Sequence, residues 1–425
     1  MLTRFSTYET RRFFPAIVFQ IIWLAAFLII FSRRPDAILN AQFFAEDGKL
    51  WYADAYQFGL RCLLMPDRAG GYFRTVSHLV ALVSLAFPFA LAPLVMNLCA
   101  IVFQILPVSV FLSSRFSNVS LFKRLVVSFL YLALPNTNEV NANASTIQWH
   151  LALLAFLVLL ARPTNDWEWR IFDGVTLVLI SLDSPIGILL VPVAAAVWQV
   201  RRNRESVVSV GLLVPGALMQ AITLLVLHSR NPASNGSSLS RLISILGRQV
   251  FVSSLLGREG LVRLVARYPA RSLFVVEAIA TIVGFALLLY ALRRGAFELK
   301  VFVLFAFAVL ALALVYPLAA TPDHSQWEVL RVPGAGNRYY FLPTIAFLTV
   351  LLWIASNTTA PTLLRCVAGV LLLFLPCGIR RDWHYPPFVD FHFREYAARF
   401  DRAAPGTRMD IPINPEYWSM ELTKR

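Results

Sequence analysis

The chain has 425 residues, of which 58% are hydrophobic and 15% are charged, with 38 Lys and Arg against 24 Asp and Glu and a formal net charge of +14. Its mean hydropathy is +0.65, well above the range of water-soluble domains. Because its apolar runs are separated only by short polar segments, the solvent for most of the chain must be lipid. The basic residues lie at the ends of these runs, where headgroups would contact them, which argues against nucleic-acid binding.

Successive hydrophobic segments predict an all-α polytopic membrane protein with about 10–12 transmembrane helices. The segments are 13–31, 76–92, 94–112, 125–136, 149–162, 171–183, 185–200, 207–228, 272–292, 300–319, 340–355 and 363–376. The first follows Arg11 and Arg12 and is too long for the apolar region of a signal peptide. We therefore expect it to remain as a span, with the N-terminus in the cytoplasm.

Three basic clusters predict which connections are cytoplasmic. They are Arg115 with Lys123 and Arg124, then Arg201, Arg202 and Arg204, then Arg293 and Arg294 with Lys300. By the positive-inside rule, the connections 32–75, 136–148, 229–271 and 320–339 and the tail after 377 would then lie on the outer face. This placement requires that one of the segments 76–92 and 94–112 be re-entrant.

The chain is predicted to form a polytopic transmembrane domain over 1–377 and a short outer-face C-terminal cap over 378–425. The tail is too short and too rich in proline for an independent domain, so we expect it to pack on the outer loops. The stretch from Arg241 to Tyr268 mixes five arginines with apolar residues. This mixture is typical of helices that lie in the membrane interface, and a plain surface loop is the alternative.

Adjacent carboxylates mark the first outer connection, where Glu46 and Asp47 follow Phe43, Phe44 and Ala45. Such a pair at a membrane surface can share a proton, bind a divalent cation, or accept a proton from a hydroxyl nucleophile. We predict that both are catalytic. The alternative is that they cap a helix that begins near Asp47.

Two further polar windows supply complementary groups. Residues 134–143 offer a carboxylate among amides that suit sugar hydroxyls, and residues 333–340 offer a guanidinium that suits a lipid phosphate. The predicted donor-phosphate ligands are Arg338, Arg74 and Tyr339. The predicted sugar or acceptor ligands are Glu139, Asn141, Asn143, Gln148, Trp51, Tyr72 and His78. Asp47 and Glu139 are the predicted ligands if a divalent cation, Mg²⁺ or Mn²⁺, is used.

This layout resembles the GT-C superfamily of membrane glycosyltransferases, which take sugars from polyprenyl-phosphate donors. The resemblance implies a catalytic acidic residue in the first outer loop, polar residues in a second, and outer basic residues that hold the donor phosphate. The matching positions are Glu46 with Asp47, Glu139, and Arg338. The junction around Asp183 and Pro185 is similar to one in related mannosyl and aminoarabinose transferases, which usually carry a Lys that this chain lacks.

The chain also resembles an uncharacterised branch of bacterial membrane proteins along nearly its whole length. The shared positions are Ala45 to Gly48, Gly71 and Tyr72, Arg338 and Tyr339, and Ile411 to Pro415. This likeness implies the architecture more directly than it implies a substrate.

We therefore expect a glycosyltransferase at the outer face of the bacterial inner membrane that moves a sugar from a polyprenyl-phosphate-linked donor to a glycan, lipid or protein acceptor of the cell envelope. A transporter or flippase of lipid-linked saccharides, or a polymerase of them, remains an alternative. Transporters usually place charges or broken helices at the bilayer midplane. Here the polar residues gather at one rim, which favours interfacial chemistry.

Overall fold

The computed structural model describes residues 5–68, 70–227, 233–319 and 323–425, with side chains from residue 17 onward in the first helix. The α-helices are α1 (Phe5–Arg33), α2 (Asp36–Leu39), α3 (Ala53–Phe58), α4 (Thr75–Ser84), α5 (Ala92–Leu112), α6 (Leu121–Leu132), α7 (Ile147–Leu160), α8 (Trp167–Asp183), α9 (Ile186–Arg201), α10 (Arg204–Leu227), α11 (Leu239–Ile245), α12 (Ser253–Arg267), α13 (Ala270–Arg294), α14 (Phe297–Val315), α15 (Gln326–Leu330), α16 (Asn337–Ser356), α17 (Thr362–Arg381) and α18 (Phe393–Arg402). Strands β1 (Arg408–Ile413) and β2 (Trp418–Thr423) form an antiparallel hairpin. Segments Asp47–Tyr52 and Leu246–Val252 are π-helical.

Within these described residues, seven helices are long and apolar enough to cross a membrane. They are Phe89–Leu112, Arg204–Leu227, Leu239–Arg267, Ala270–Arg294, Phe297–Val315, Asn337–Ser356 and Thr362–Arg381. Four shorter apolar helices accompany them: Ile17–Arg33, Thr75–Ser84, Ala144–Leu160 and Ile186–Arg201. The chain is therefore mostly helical and of the multi-pass membrane type, as predicted. Fewer helices have full spanning length than the predicted number of crossings.

Basic residues lie together at one end of the helix bundle, which we call the basic end. Arg115 donates two hydrogen bonds of 2.7 Å to the Asp173 carboxylate. Arg124 donates to the carbonyls that end α5, and Arg201 donates to those that end α7. These carbonyls have no partner within their own helices, so the guanidinium groups satisfy them. Two of the three basic clusters predicted to share a face are thus close together.

The opposite end, which we call the site end, collects the ends of α1, α6 and α17. The Arg33 guanidinium donates to the carbonyls of Leu132 (2.6 Å), Leu134 (2.8 Å) and Asp382 (3.2 Å). Because α1 ends at the site end and α5 ends at the basic end, the chain between them makes a single net crossing.

Helix α4 corresponds to the first of the two segments, 76–92 and 94–112, of which one was predicted to be re-entrant. It begins at the site end, where the Thr75 hydroxyl donates to the carbonyl of Leu182 near the end of α8 (2.9 Å). Its ten residues span about 15 Å, roughly half of a hydrocarbon core. Since Phe89–Leu112 has full spanning length, α4 is the segment of the two that we expect to be re-entrant.

The C-terminal region packs directly on the first loop, and Asn414 makes the central contacts. Its backbone carbonyl accepts from the Ala45 amide (2.5 Å), and its own amide donates to the Phe43 carbonyl (3.1 Å). Its side chain exchanges two hydrogen bonds of 2.9 Å with the backbone of Val389. Helix α17 continues through the predicted boundary at 377 and ends at Arg381.

The arginine-rich stretch forms helical segments over Leu239–Arg267 with a break at Gly257, where φ is +75°. The Asn136 side chain donates to Gln249 (3.2 Å) and to a serine one turn later. The Asp382 carboxylate accepts from the two backbone amides that follow Gly257, in the manner of a helix N-cap. These contacts hold the stretch at the site end. The stretch is therefore helical and not a plain surface loop, while its position in the membrane interface remains a prediction.

Close packing of α12 on α17 provides a test of this arrangement. A Cβ atom at Gly378 would clash with the Leu255 carbonyl oxygen, whereas a Cβ atom at Gly369, on the same helix, would meet nothing within 4 Å. We expect Gly378→Ala to lower the free energy of unfolding by about 1–3 kcal/mol, the usual cost of overpacking. Gly369→Ala is the matched control and should be neutral. The measurement is the thermal unfolding midpoint in detergent, and equal midpoints for the two variants would contradict the predicted contact.

Candidate active site at the site end

The first loop holds its acidic pair in an unusual backbone conformation. Ala45 has a φ of +53°, in the left-handed region that residues with a Cβ rarely adopt. The π-helical turn Asp47–Tyr52 follows at once, and such turns often occur at functional sites. A Cβ atom at Gly48 would lie 3.0 Å from Phe43 and 3.4 Å from Ile413 of the hairpin. The C-terminal hairpin therefore fixes the shape of this loop.

Asp47 is buried, with 1% of its surface exposed. The Ser145 hydroxyl lies 2.6 Å from Asp47 Oδ1 and 3.0 Å from the carbonyl oxygen of Phe44. A serine hydroxyl has one proton to donate, so it cannot donate to both oxygens at once. If Asp47 is protonated, it donates to Ser145, and Ser145 donates to Phe44. This arrangement satisfies all three groups and requires a neutral carboxyl.

The electrostatics agree with a protonated Asp47. Burial raises its pKa to about 8, because the charged carboxylate would lose its water. Hydrogen bonds from Ser145 and from the Ala144 backbone, and the charge of Arg74, lower the pKa, while Glu46 raises it further. Burial has the largest effect.

Glu46 differs from its neighbour. It is half-buried, and its carboxylate has no hydrogen-bond or ion-pair partner in the described part of the chain. Its charge acts on Asp47, on Arg74 and on Arg338. Glu46 is therefore the member of the pair that an incoming ligand can contact, within electrostatic range of two guanidinium groups.

Arg74 connects the acidic pair to the second polar window. It is buried, and it donates to the Ser145 carbonyl (2.8 Å) and to the Ser77 hydroxyl (3.1 Å). Its guanidinium lies 4.7 Å from the ring centre of Trp51. Trp51 is 2% exposed, so its ring packs on Arg74 and presents no open face to a sugar in this conformation.

The second and third polar windows meet through an ion pair between Glu139 and Arg338. Arg338 also donates to the Leu318 carbonyl (2.9 Å) and to the Tyr339 hydroxyl (3.1 Å). The Asn143 side chain donates a hydrogen bond to the backbone carbonyl of Glu139 (2.6 Å). Both side chains of the ion pair keep part of their surface exposed, which leaves Arg338 accessible to a ligand.

The predicted amides lie deeper than a sugar-binding surface would. Asn141 and Asn143 are each 1% exposed, and the Asn141 side chain accepts from Gln104 (3.0 Å). However, Asn141 Nδ2 and Gln148 Oε1 are buried with no hydrogen-bond partner. Buried polar atoms without partners are uncommon, so these two are the amide atoms best placed to bind a ligand that enters the site.

Tyr72 lies between the two groups of charged residues, because its phenol interacts electrostatically with Arg74, Tyr339 and Arg338. His78 lies apart from them. It is 1% exposed, neither of its ring nitrogens has a hydrogen-bond partner, and its nearest charged partner is Asp54 at 3.8 Å. The structure thus brings together most of the predicted residues but leaves His78 on the Asp54 side.

Sequence reasoning missed Ser145, Asn414 and the role of Asp183. The buried Asp183 carboxylate accepts from the backbone amides of Val76 (2.7 Å) and Ser77 (3.4 Å) at the start of α4. It therefore caps a helix, which accounts for an acidic residue at this junction. No motif marks Ser145. The sequence does contain Asn414, but nothing in it shows that its partner is Ala45.

The predicted metal ligands do not form a shared cation site as they stand. Asp47 contacts Ser145 and Glu139 contacts Arg338. Among the described residues, no three His, Cys, Asp or Glu side chains are grouped closely enough to hold a metal ion. A divalent cation at this site remains a prediction.

The raised pKa of Asp47 predicts how stability depends on pH. Because the pKa is about 8 in the folded state and about 3.9 when unfolded, folding retains a proton that the unfolded chain loses. Stability is therefore lost as pH rises from about 4 to about 8. We expect the thermal midpoint of the wild type to fall over this range, and the fall to be smaller in Asp47→Asn. Asp410→Asn, at an exposed carboxylate, is the control and should keep the wild-type slope. Parallel slopes in all three proteins would show that Asp47 is ionised throughout.

Comparisons with known proteins assign no family to this chain. No protein-family model matches the sequence, and no curated protein is significantly similar to it. The GT-C resemblance therefore remains an expectation that depends on the motifs, and the case for function rests on the geometry of the site.

Proposed function

We propose that the protein is a membrane glycosyltransferase that moves a sugar from a polyprenyl-phosphate-linked donor to a hydroxyl group of a cell-envelope acceptor. The observation that carries this proposal is Glu46, a half-buried carboxylate without a hydrogen-bond or ion-pair partner in the described chain, whose charge acts on both Arg74 and Arg338. A base and a phosphate-binding cation at one site are the two groups that this transfer needs.

In the proposed step, Glu46 accepts the proton of the acceptor hydroxyl as that oxygen attacks the anomeric carbon. A new carbon–oxygen bond forms on one face of the sugar while the bond to the donor phosphate oxygen breaks on the other, so the anomeric configuration inverts. The products are the glycosylated acceptor, the polyprenyl phosphate and a protonated Glu46. Both electron pairs and the proton are then accounted for.

Arg338 would stabilise the negative charge that develops on the departing phosphate. Its guanidinium is partly exposed and is already oriented by Glu139 and by the Leu318 carbonyl. Charge-assisted hydrogen bonds of this kind are the strong ones. Arg74 is buried and packs on Trp51, so its proposed role is to stabilise the negative charge of Glu46 electrostatically.

Asp47 would act through its neighbour. With its proton retained by burial, Asp47 is a neutral hydrogen-bonding group that fixes the loop to Ser145. Glu46 then has a neutral neighbour and not a second carboxylate charge beside it. Asp47 is in this scheme a positioning residue.

The location follows from the two ends of the bundle. The basic end carries Arg115, Arg124 and Arg201, and the positive-inside rule assigns such an end to the cytoplasm. The site end would then face the outer side of the bacterial inner membrane, where lipid-linked sugar donors are consumed. Reaction at a rim fits this separation better than transport through the midplane does.

The test is transfer of a radiolabelled sugar from a polyprenyl-phosphate donor to acceptor in proteoliposomes. We expect Glu46→Gln to reduce kcat by about 10²–10⁴-fold, the usual contribution of a general base. Asp47→Asn, which mimics the protonated acid, should retain most of the activity. Arg338→Lys should lose activity because Lys presents a point charge and not a planar fork. Glu416→Gln, at an exposed carboxylate of the hairpin, is the matched control.

Two results would overturn the proposal. Full transfer by Glu46→Gln would remove Glu46 from the chemistry. If the wild type transfers no sugar but moves the lipid-linked saccharide across the bilayer, the protein is a flippase. Extension of a saccharide chain by repeated lipid-linked units would instead identify a polymerase.

A further inference from the structure

An apolar groove lies on the outside of the bundle between α6, α16 and α17, with a volume of about 830 Å³. This volume is within the range of small-molecule pockets, about 300–1,000 Å³. Its walls are formed by the apolar residues Val126, Phe129, Leu130, Leu352, Leu372, Leu375, Pro376 and Ile379. None of the predicted site residues lines it, so the groove is separate from the candidate active site.

The mouth of the groove is polar and lies at the site end. Arg380, Trp383 and His384 line it. Arg380 is exposed and has no carboxylate partner in the described part of the chain. His384 donates from Nδ1 to the Ser32 carbonyl (3.0 Å), which fixes its ring beside the mouth. The groove therefore joins an apolar channel to an unpaired positive charge, which is complementary to an amphiphile with an anionic head.

The depth of the groove indicates which amphiphile would occupy it. Along α17, the lining residues run from Arg380 to Leu372, eight residues or about 12 Å. One leaflet of the hydrocarbon core is about 15 Å thick. A fatty acyl chain of a membrane phospholipid matches this depth, whereas a polyprenyl chain is much longer than one leaflet.

We propose that this groove is a binding site for an anionic glycerophospholipid of the surrounding bilayer. One acyl chain lies along α6 and α17, and the phosphate group contacts Arg380 at the mouth. Trp383, whose ring stacks on Phe129 at a centroid distance of 6.5 Å, covers the junction between head and tail, where aromatic rings favour the membrane interface. This inference is independent of the proposed transfer reaction.

The bound lipid would contact the same segment that supports the first loop. Trp383 and His384 directly follow Asp382 and approach the end of α1, where the Trp383 carbonyl accepts from Arg33 (3.4 Å). Occupation of the groove therefore adds packing to the segment that joins α17 to the C-terminal region. We expect the lipid to raise the thermal unfolding midpoint of the protein.

The test is native mass spectrometry of the purified full chain with phosphatidylglycerol or phosphatidylcholine of the same acyl composition. We expect the wild type to retain one phosphatidylglycerol about tenfold more strongly than phosphatidylcholine, the scale of one charge-assisted hydrogen bond. Arg380→Gln should remove this preference. Leu372→Trp should fill the groove and weaken retention of both lipids. Arg294→Gln, at an exposed arginine that ends α13 and does not line the groove, is the control and should bind as the wild type does.

Three outcomes would overturn the proposal: equal retention of the two lipids by the wild type, unchanged phosphatidylglycerol binding in both groove variants, or retention of polyprenyl phosphate that phosphatidylglycerol cannot displace. Thermal midpoints of all variants without added lipid guard against misfolding. If a variant is destabilised, the remaining folded variant decides the result.

Discussion

The site end depends on one buried guanidinium. Arg33 is 1% exposed and donates to backbone carbonyls at the ends of α6 and α17, and the Tyr385 ring lies 4.5 Å from its centre. A buried charge without enough partners would be very costly, so the three helix ends must stay where they can supply oxygen atoms. The same segment contains Asp382, whose carboxylate accepts hydrogen bonds from the backbone amide that follows the break at Gly257 and from the Asn136 backbone amide. The scaffold of the candidate site is thus fixed by satisfying polar groups, with apolar packing filling the space between.

The acidic pair illustrates how one local environment separates two similar groups. Asp47 is buried next to a hydroxyl that already has another acceptor, and it holds its proton. Glu46 is only half-buried, and its charge acts on Arg74 and Arg338. Different environments of this kind let two adjacent carboxyl side chains take different chemical roles. The left-handed backbone at Ala45 directs the two side chains to these different places.

Much of this arrangement could be predicted from the sequence, because it depends on patterns formed by residues that are close together in the chain. Apolar runs predicted the helices, arginines at their ends predicted the basic end, and acid, amide and guanidinium windows predicted residues that do lie near one another. What could not be predicted depends on contacts between distant segments. Trp51 has an aromatic ring on which a sugar could stack, but the Arg74 guanidinium packs on that ring. Asn143 has an amide that could bind a sugar hydroxyl, but it donates to the Glu139 carbonyl. The length of α4 was also hidden, because the apolar run continues through the break at Leu85 to Pro88.

The contact between Ala45 and Asn414 has a consequence for biogenesis. The loop that carries the acidic pair is made before the residue that fixes its backbone, because the transmembrane helices lie between Ala45 and Asn414 in the chain. While the ribosome is still inserting the intervening helices, the loop has no partner to hold it in the left-handed conformation. The pair can adopt its final geometry only after the terminal hairpin has reached the same side of the membrane, so a truncated product carries an incomplete site and quality control has a clear structural difference to detect.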